Sequence, residues 1–160
     1  MTVGKFEHVS DAQYRRDMSG RTGFLAVEEI PLPKRATRGS AGYDFVCPVE
    51  TVIPAGGKAV IPTGIRCEME EGWVLMLFPR SGLGFRHQIR LSNTVGIIDS
   101  DYAFAENEGH IQVSLRNPLE KDLVIGKGER FCQGILLPYG LAEEESAFAE
   151  RRGGMGSTGV

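Results

Sequence analysis

The chain has no long apolar run, no paired cysteines, no excess of positive charge and no extended helical periodicity. Each absence removes a class of protein. A membrane-spanning helix needs about 20 consecutive apolar residues, and no stretch of the 160 residues approaches that. The opening MTVGKFEHVSDAQYRRD is too charged for a secretory signal, so a cytoplasmic location is expected. Cysteine occurs only as Cys47, Cys67 and Cys132, far apart and without a C-x-x-C pair. Such a set speaks against a disulfide framework or a zinc site and for buried, reduced thiols. His8, His87 and His110 lack metal-ligand spacing, and surface or supporting roles are expected of them. Lys and Arg total 18 against 21 Asp and Glu, a formal net charge of −3. That balance leaves no electrostatic footprint for long nucleic acid. A single nucleotide needs only a local positive pocket and is not excluded.

What the chain does have is glycine, 21 residues, and proline, 8, recurring between short apolar runs. The runs 52–69, 73–79, 89–98, 110–117 and 130–139 read as strands of roughly 4–8 residues, some split by turns. Turn signals sit at 54–57, 62–64, 70–72 and 126–128. Ser10-Asp11 is placed to cap one short helix over 11–17, and 81–87 has room for a single helical turn. The expected class is all-β, a compact barrel or jelly-roll-like sandwich. The chain divides into a β domain over 1–141 and a linker with a glycine-rich tail over 142–160, expected to be mobile when empty.

Residues 79–102, PRSGLGFRHQIRLSNTVGIIDSDY, concentrate the chemistry. Arg80-Ser81-Gly82 offers a planar cation, a hydroxyl and a backbone open to close approach, which suits phosphate. Asn93 donates and accepts at once, as the edge of a pyrimidine requires. Asp99-Ser100-Asp101-Tyr102 supplies carboxylates, one able to hold an attacking water, and a flat ring. The tail RRGGMGSTG (151–159) can wrap phosphate with backbone N–H groups and hydroxyls. Taken singly, each reads as readily as an ordinary turn, a solvated loop or a disordered terminus. Their joint occurrence in this order points to a nucleotide.

Five segments in order resemble the trimeric dUTPase (deoxyuridine triphosphatase) family: SAGYDF (40–45), PRSGLG (79–84), SNTVGIIDSDY (92–102), GKGERFCQG (126–134) and RRGGMGSTG (151–159). The resemblance spans roughly 31–160 and implies a β-clip, distorted jelly-roll-like fold. It implies a homotrimer with active sites between subunits, and hydrolysis of dUTP to dUMP and pyrophosphate with Mg²⁺. By resemblance, Asp99 is the general base that orients water at the α-phosphorus. Tyr102 packs on deoxyribose and excludes a 2′-hydroxyl. Asn93 reads uracil, with the backbone of Gly96, Ile97 and Ile98 and, nearby, Gln112. Asp44 holds a water on a magnesium ion bound mainly by the substrate's phosphates. Arg80, Ser81, Gly82 and Gln133 contact phosphate. Arg151, Ser157 and Thr158 close on the γ-phosphate, with Met155 and Gly156 covering the site.

Three features depart from the family pattern, the first being the adjacency of Arg151 and Arg152 with a shorter spacing to Gly153 than in many members, which leaves either as the tail's phosphate contact. Met155 stands where an aromatic ring usually covers uracil, which implies a looser lid. AFAENEGH (103–110) replaces a short turn after Tyr102 and resembles a variant of some Gram-positive and phage-like members. A dCTP deaminase of the same fold is the nearest alternative, but IQVSLRN lacks the glutamate expected of it. A non-catalytic dUTP sensor is the alternative from a different class.

Overall fold

Alternation sets the strands. In WVLMLFP, Leu75 and Leu77 point inward at 0% and 1% exposure, while the residues between them are only half-buried. One face of the strand is therefore core and the other is not. The same pattern, interrupted by the turns at 54–57, 62–64, 70–72 and 126–128, builds an all-β molecule. The computed structural model describes residues 1–143 and Gly153. Its elements are β1 (Gly4–His8), α1 (Asp11–Asp17), β2 (Lys34–Arg35), β3 (Tyr43–Val46), β4 (Thr51–Ile53), β5 (Lys58–Pro62), β6 (Ile65–Met69), β7 (Trp73–Pro79), α2 (Ser81–His87), β8 (Arg90–Leu91), β9 (Gly96–Ile98), β10 (Gln112–Arg116), β11 (Leu123–Ile125) and β12 (Arg130–Pro138). Short 3-10 turns occupy Val27–Glu29 and Ser100–Phe104.

The largest sheet has the order β2-β3-β12-β7-β9, and a second runs β5-β10-β8. The two-stranded pairs β1-β6 and β11-β4 complete the jelly-roll-like arrangement. Phe45, Phe131, Ile53, Ile61 and Leu75 fill the interior between them. The three cysteines are buried there as free thiols, and burial pushes the Cys132 thiol up to about 12. That keeps it protonated and unreactive.

Ser10 caps α1 as its sequence suggests, its hydroxyl accepting from Gln13 N–H at 3.1 Å. The helix after Arg80 is longer than one turn. It runs seven residues because Gln88 turns left-handed (φ 54°) and closes it with an N–H donated to Gly84. β1 pairs with β6 over five residues, a strand that its charged sequence GKFEH did not announce. Among the described residues no helix is long and apolar enough to cross a membrane.

Candidate active site

Register places the chemistry. Asp44, Gln133 and Phe78 lie in one row across β3, β12 and β7. Arg80 follows directly on the end of β7. Asp44 is 8% exposed, and Arg80 Nε lies 3.1 Å from its Oδ1. Arg130 Nη1 donates to its Oδ2, also at 3.1 Å. One carboxylate thus aims two guanidiniums whose side chains are 33% and 51% exposed. Two planar cations on one fixed carboxylate form a ready phosphate receiver. Lys34, cross-strand from Asp44, and Arg35 line the same hollow, a cavity of about 320 Å³. Gln133 Oε1 would stand 2.4 Å from a Cβ at Gly42, so any larger residue there would push the Gln133 amide aside. Ser81 and Gly82 are exposed at the first turn of α2.

Asn93 lies in the tight turn from β8 to β9, where Thr94 donates to Leu91 at 3.0 Å. Thr94 sits at φ 70°, a region that β-branched residues seldom occupy. Strain of this kind persists where the surroundings over-determine it, often at ligand sites. Here it lies beside Asn93, which is exposed in a turn closed by the Leu91–Thr94 bridge. β9 then pairs with β7 through Gly96–Leu77, Ile97–Met76 and Ile98–Leu75. A Cβ on Gly96 would meet Leu77 Cβ at 2.9 Å, so the close approach of β9 depends on glycine. Ile97 is 51% exposed while Gly96 and Ile98 are buried. Gln112 lies half-buried on the other sheet, opposite Pro62.

Continuing that antiparallel register puts Asp99 beside Val74, at the opposite end of β7 from Arg80. Six residues of strand separate them, about 20 Å at ~3.4 Å each. Within one subunit, the Asp44–Arg80 end and the Asp99 end of β7 do not form a single pocket. Asp99 is exposed in extended backbone just before the 3-10 turn, and Tyr102 N–H donates to its carbonyl at 3.1 Å.

Tyr102 is 2% exposed. Its hydroxyl donates to the His110 carbonyl at 2.9 Å and accepts from Asn107 Nδ2 at 2.9 Å. The segment 103–110 thus folds back on the ring it follows. It is fastened to the N-terminal region as well. Glu108 accepts from the N–H and hydroxyl of Ser10, and the His110 ring bridges Gly64 and Asp17. His110 therefore belongs to the core, at 0% exposure, where a surface or supporting place was expected. Gly64 N–H donates to its Nε2 at 2.8 Å, so the ring proton sits on Nδ1 and faces Asp17. Burial pushes the His110 pKa below the usual histidine range, and Asp17 offsets only part of that.

Arg151, Met155, Gly156, Ser157 and Thr158 lie outside the described residues, as does nearly all of the expected 142–160 tail. Among the described residues no group of three or more His, Cys, Asp or Glu could hold a metal ion. Reading the sequence did not single out Arg130. Its signal was the basic residue closing GKGER immediately before an apolar strand, and only the pairing with Asp44 gives it meaning.

A family model described as dUTPase matches residues 28–159. A curated deoxyuridine 5'-triphosphate nucleotidohydrolase of Lactococcus lactis subsp. lactis is 43% identical over 135 residues, covering 82% of this chain and 89% of its own. One of Hahella chejuensis is 40% identical over 140 residues, with the same shares covered. The crystal structure of a dUTPase from Streptococcus mutans superposes with a TM-score of 0.68 at 34% identity, covering 86% of this chain and 98% of that one. A phage phi11 dUTPase mutant, whose structure concerns the coordination of a structural Mg(II) ion, shares the fold at TM-score 0.67 and 18% identity. It covers 92% of this chain and 98% of that one.

Proposed function

We propose, for a chain that belongs to the dUTPase family and by that membership hydrolyses dUTP, a division of labour between the two ends of β7. The Asp44–Arg80–Arg130 end receives the triphosphate, with Ser81, Gly82 and Gln133 beside it. The β9 end handles the nucleoside. Asn93 and the backbone of Gly96, Ile97 and Ile98 meet uracil, with Gln112 nearby. Tyr102 faces the sugar. Asp99 orients a water toward the α-phosphorus and takes its proton as the P–O bond forms and pyrophosphate leaves.

The separation of about 20 Å between Asp99 and Arg80, read from the strand register, carries this reading. It supports a site completed by a second copy of the chain, and a homotrimer is the assembly proposed. Residues 142–160 then close over the site, with Arg151, Ser157 and Thr158 on the γ-phosphate and Met155 and Gly156 over the nucleoside.

The donor set fits Mg²⁺ in a limited role. Magnesium keeps most of its waters and relies on substrate phosphates plus one or two carboxylates. Both Asp44 oxygens are held by Arg80 and Arg130, so Asp44 would reach the ion through a coordinated water, with the substrate's phosphates as the main ligands. When bound, the ion neutralises charge developing on the phosphates. A carboxylate is a weak base, so Asp99 contributes through placement of the water more than through basicity. Steric refusal of one methyl group accounts for ~1–3 kcal/mol against thymine. Relatives at about 40% identity are named as nucleotidohydrolases, and the deaminase alternative is not favoured.

The test is pyrophosphate release with Mg²⁺ from dUTP, dCTP, dTTP and UTP, for wild type and Asp99→Asn. The expected result is turnover of dUTP alone, cut by a factor of about 10²–10⁴ in the variant. Ammonia from dCTP would assign the deaminase. Binding of dUTP without turnover would leave a sensor.

A further inference from the structure

We propose that segment 103–110 sets the preference for deoxyribose over ribose, with Asn107 as the positioning residue that acts through the Tyr102 hydroxyl. The inference rests on the reading of Tyr102 as the sugar-facing ring. A ring that excludes a hydroxyl by contact is only as selective as it is stiff. If it yields by a few tenths of an ångström, the larger sugar enters.

Tyr102 is fixed at both ends. Its backbone N–H is tied to the Asp99 carbonyl at 3.1 Å, and its carbonyl accepts from Ala105 N–H at 3.1 Å. At the far end of the ring, the hydroxyl gives its one proton to the His110 carbonyl and accepts one from Asn107 Nδ2, each at 2.9 Å. Both outer partners come from the same short segment. That segment is itself clamped. Ile111 N–H donates to Ile65 at 2.9 Å, the His110 ring is locked between Gly64 and Asp17, and Glu108 receives both donors of Ser10. Buried, fully satisfied polar networks of this kind rigidify what they hold.

The Asn107 amide is an anchor of the ring that a side-chain substitution removes without touching the core. Asn107 is only half-buried, and its Oδ1 otherwise serves a 3.2 Å bond from Gly109 N–H within the same turn. Without the amide, the hydroxyl loses one of the two bonds that fix the far end of the ring, and the ring gains freedom about the other.

The experiment measures kcat/KM for dUTP and for UTP in wild type, Tyr102→Ala, Tyr102→Phe, Asn107→Leu and the double variant Tyr102→Phe/Asn107→Leu. Asn107→Leu is expected to lower the dUTP/UTP ratio by about fivefold, the equivalent of one net hydrogen bond. The change should come mainly from a rise in UTP turnover. Tyr102→Phe removes both hydroxyl bonds and should lower the ratio at least as much, and adding Asn107→Leu to it should lower the ratio no further, because the Asn107 contact is already gone. A purely structural role for Asn107 would weaken both substrates alike and leave the ratio at its wild-type value, which overturns the proposal. Additive losses in the double variant overturn it as well. A wild-type ratio in Tyr102→Ala removes the sugar-facing reading and the proposal together, whereas a ratio lost in Tyr102→Ala but kept in Asn107→Leu removes the proposal alone. If Asn107→Leu fails to fold, Asn107→Ala deletes the same donor without new bulk.

Discussion

At the Pro79 end of β7, Asp44 is held by two arginines that still reach solvent, with side chains 33% and 51% exposed. At the Trp73 end, Tyr102 is 2% exposed and bound by a carbonyl and an amide, beside a histidine at 0%. The first region is built from charges near water, the second from a buried ring and histidine held by neutral groups, with the carboxylates of Asp17 and Glu108 fastening its outer side. Ion pairs among partly exposed groups are worth little and are readily exchanged. A triphosphate can therefore take over the guanidiniums from the carboxylate at small cost. A buried, satisfied network resists rearrangement. On the proposed reading, affinity for phosphate resides where contacts are exchangeable, and selection of the nucleoside where they are not.

The sharpest way to break this comparison is to inactivate each end in a different copy. Arg80→Ala and Asp99→Asn should each lose activity, by about 10²–10³ for the phosphate contact and about 10²–10⁴ for the base. Mixed by co-expression or joint refolding, the two inactive chains should recover up to about a quarter of wild-type turnover, since random trimers pair an intact Arg80 with an intact Asp99 in that share of shared sites. No recovery would mean that one copy supplies both ends. Asp44→Asn probes the charged end alone. It leaves the two arginines without their organiser, and kcat/KM should drop by about 10–100-fold, as for other groups that orient a binding shell. Thermal unfolding should show a loss of only about 1 kcal/mol, because both arginines reach water. A larger loss of stability with activity retained would make Asp44 a fold residue.

The buried end should respond to acid. Burial holds the His110 pKa below the usual histidine range. The unfolded chain therefore takes up that proton at a higher pH than the folded one. The contribution to stability is complete above about pH 6.5 and declines as pH falls below it. The decline is at most about 1.4 kcal/mol per pH unit, until the folded group itself titrates. Protonation would also set a new Nε2–H against the Gly64 N–H that now donates to it. Urea midpoints at pH 7.5, 6.5 and 5.5 should fall in that order for wild type. His110→Gln should start lower and show a shallower slope, and equal slopes would place the acid sensitivity elsewhere.

Local features of the fold were legible in the sequence because they depend on neighbours in the chain. The Ser10 cap, the strand 73–79 and the glycine turns follow from residues within a few positions. The all-β class follows from them, as does the Asp99–Tyr102 turn after an apolar step. Long-range pairing was not legible. The separation of Asp99 from Arg80 depends on β9 lying antiparallel to β7 in one register, which no motif encodes. Nothing local in the sequence chose between a surface and a supporting place for His110, whose buried ring meets Asp17, 93 residues away in the chain. Arg130 gained its place from Asp44, 86 residues distant. The dUTPase pattern brought Asp44 forward through resemblance, not through any local signal of its own.

The smallest effect concerns the tail, whose Met155 lies outside the described residues. A thioether contact on a ring contributes ~0.3–1.5 kcal/mol, whereas an aromatic side chain stacked on a base contributes ~1–3 kcal/mol. Met155→Phe should therefore tighten the cover on uracil by about 1 kcal/mol, a roughly fivefold lower KM for dUTP. Because the cover touches substrate and transition state alike, kcat should stay near its wild-type value. The dUTP/UTP ratio should not move either, since the base is the same in both. An unchanged or higher KM would remove Met155 from the uracil cover. A shift in the sugar ratio would mean that the tail, and not only the Tyr102 end of β7, takes part in choosing the nucleoside.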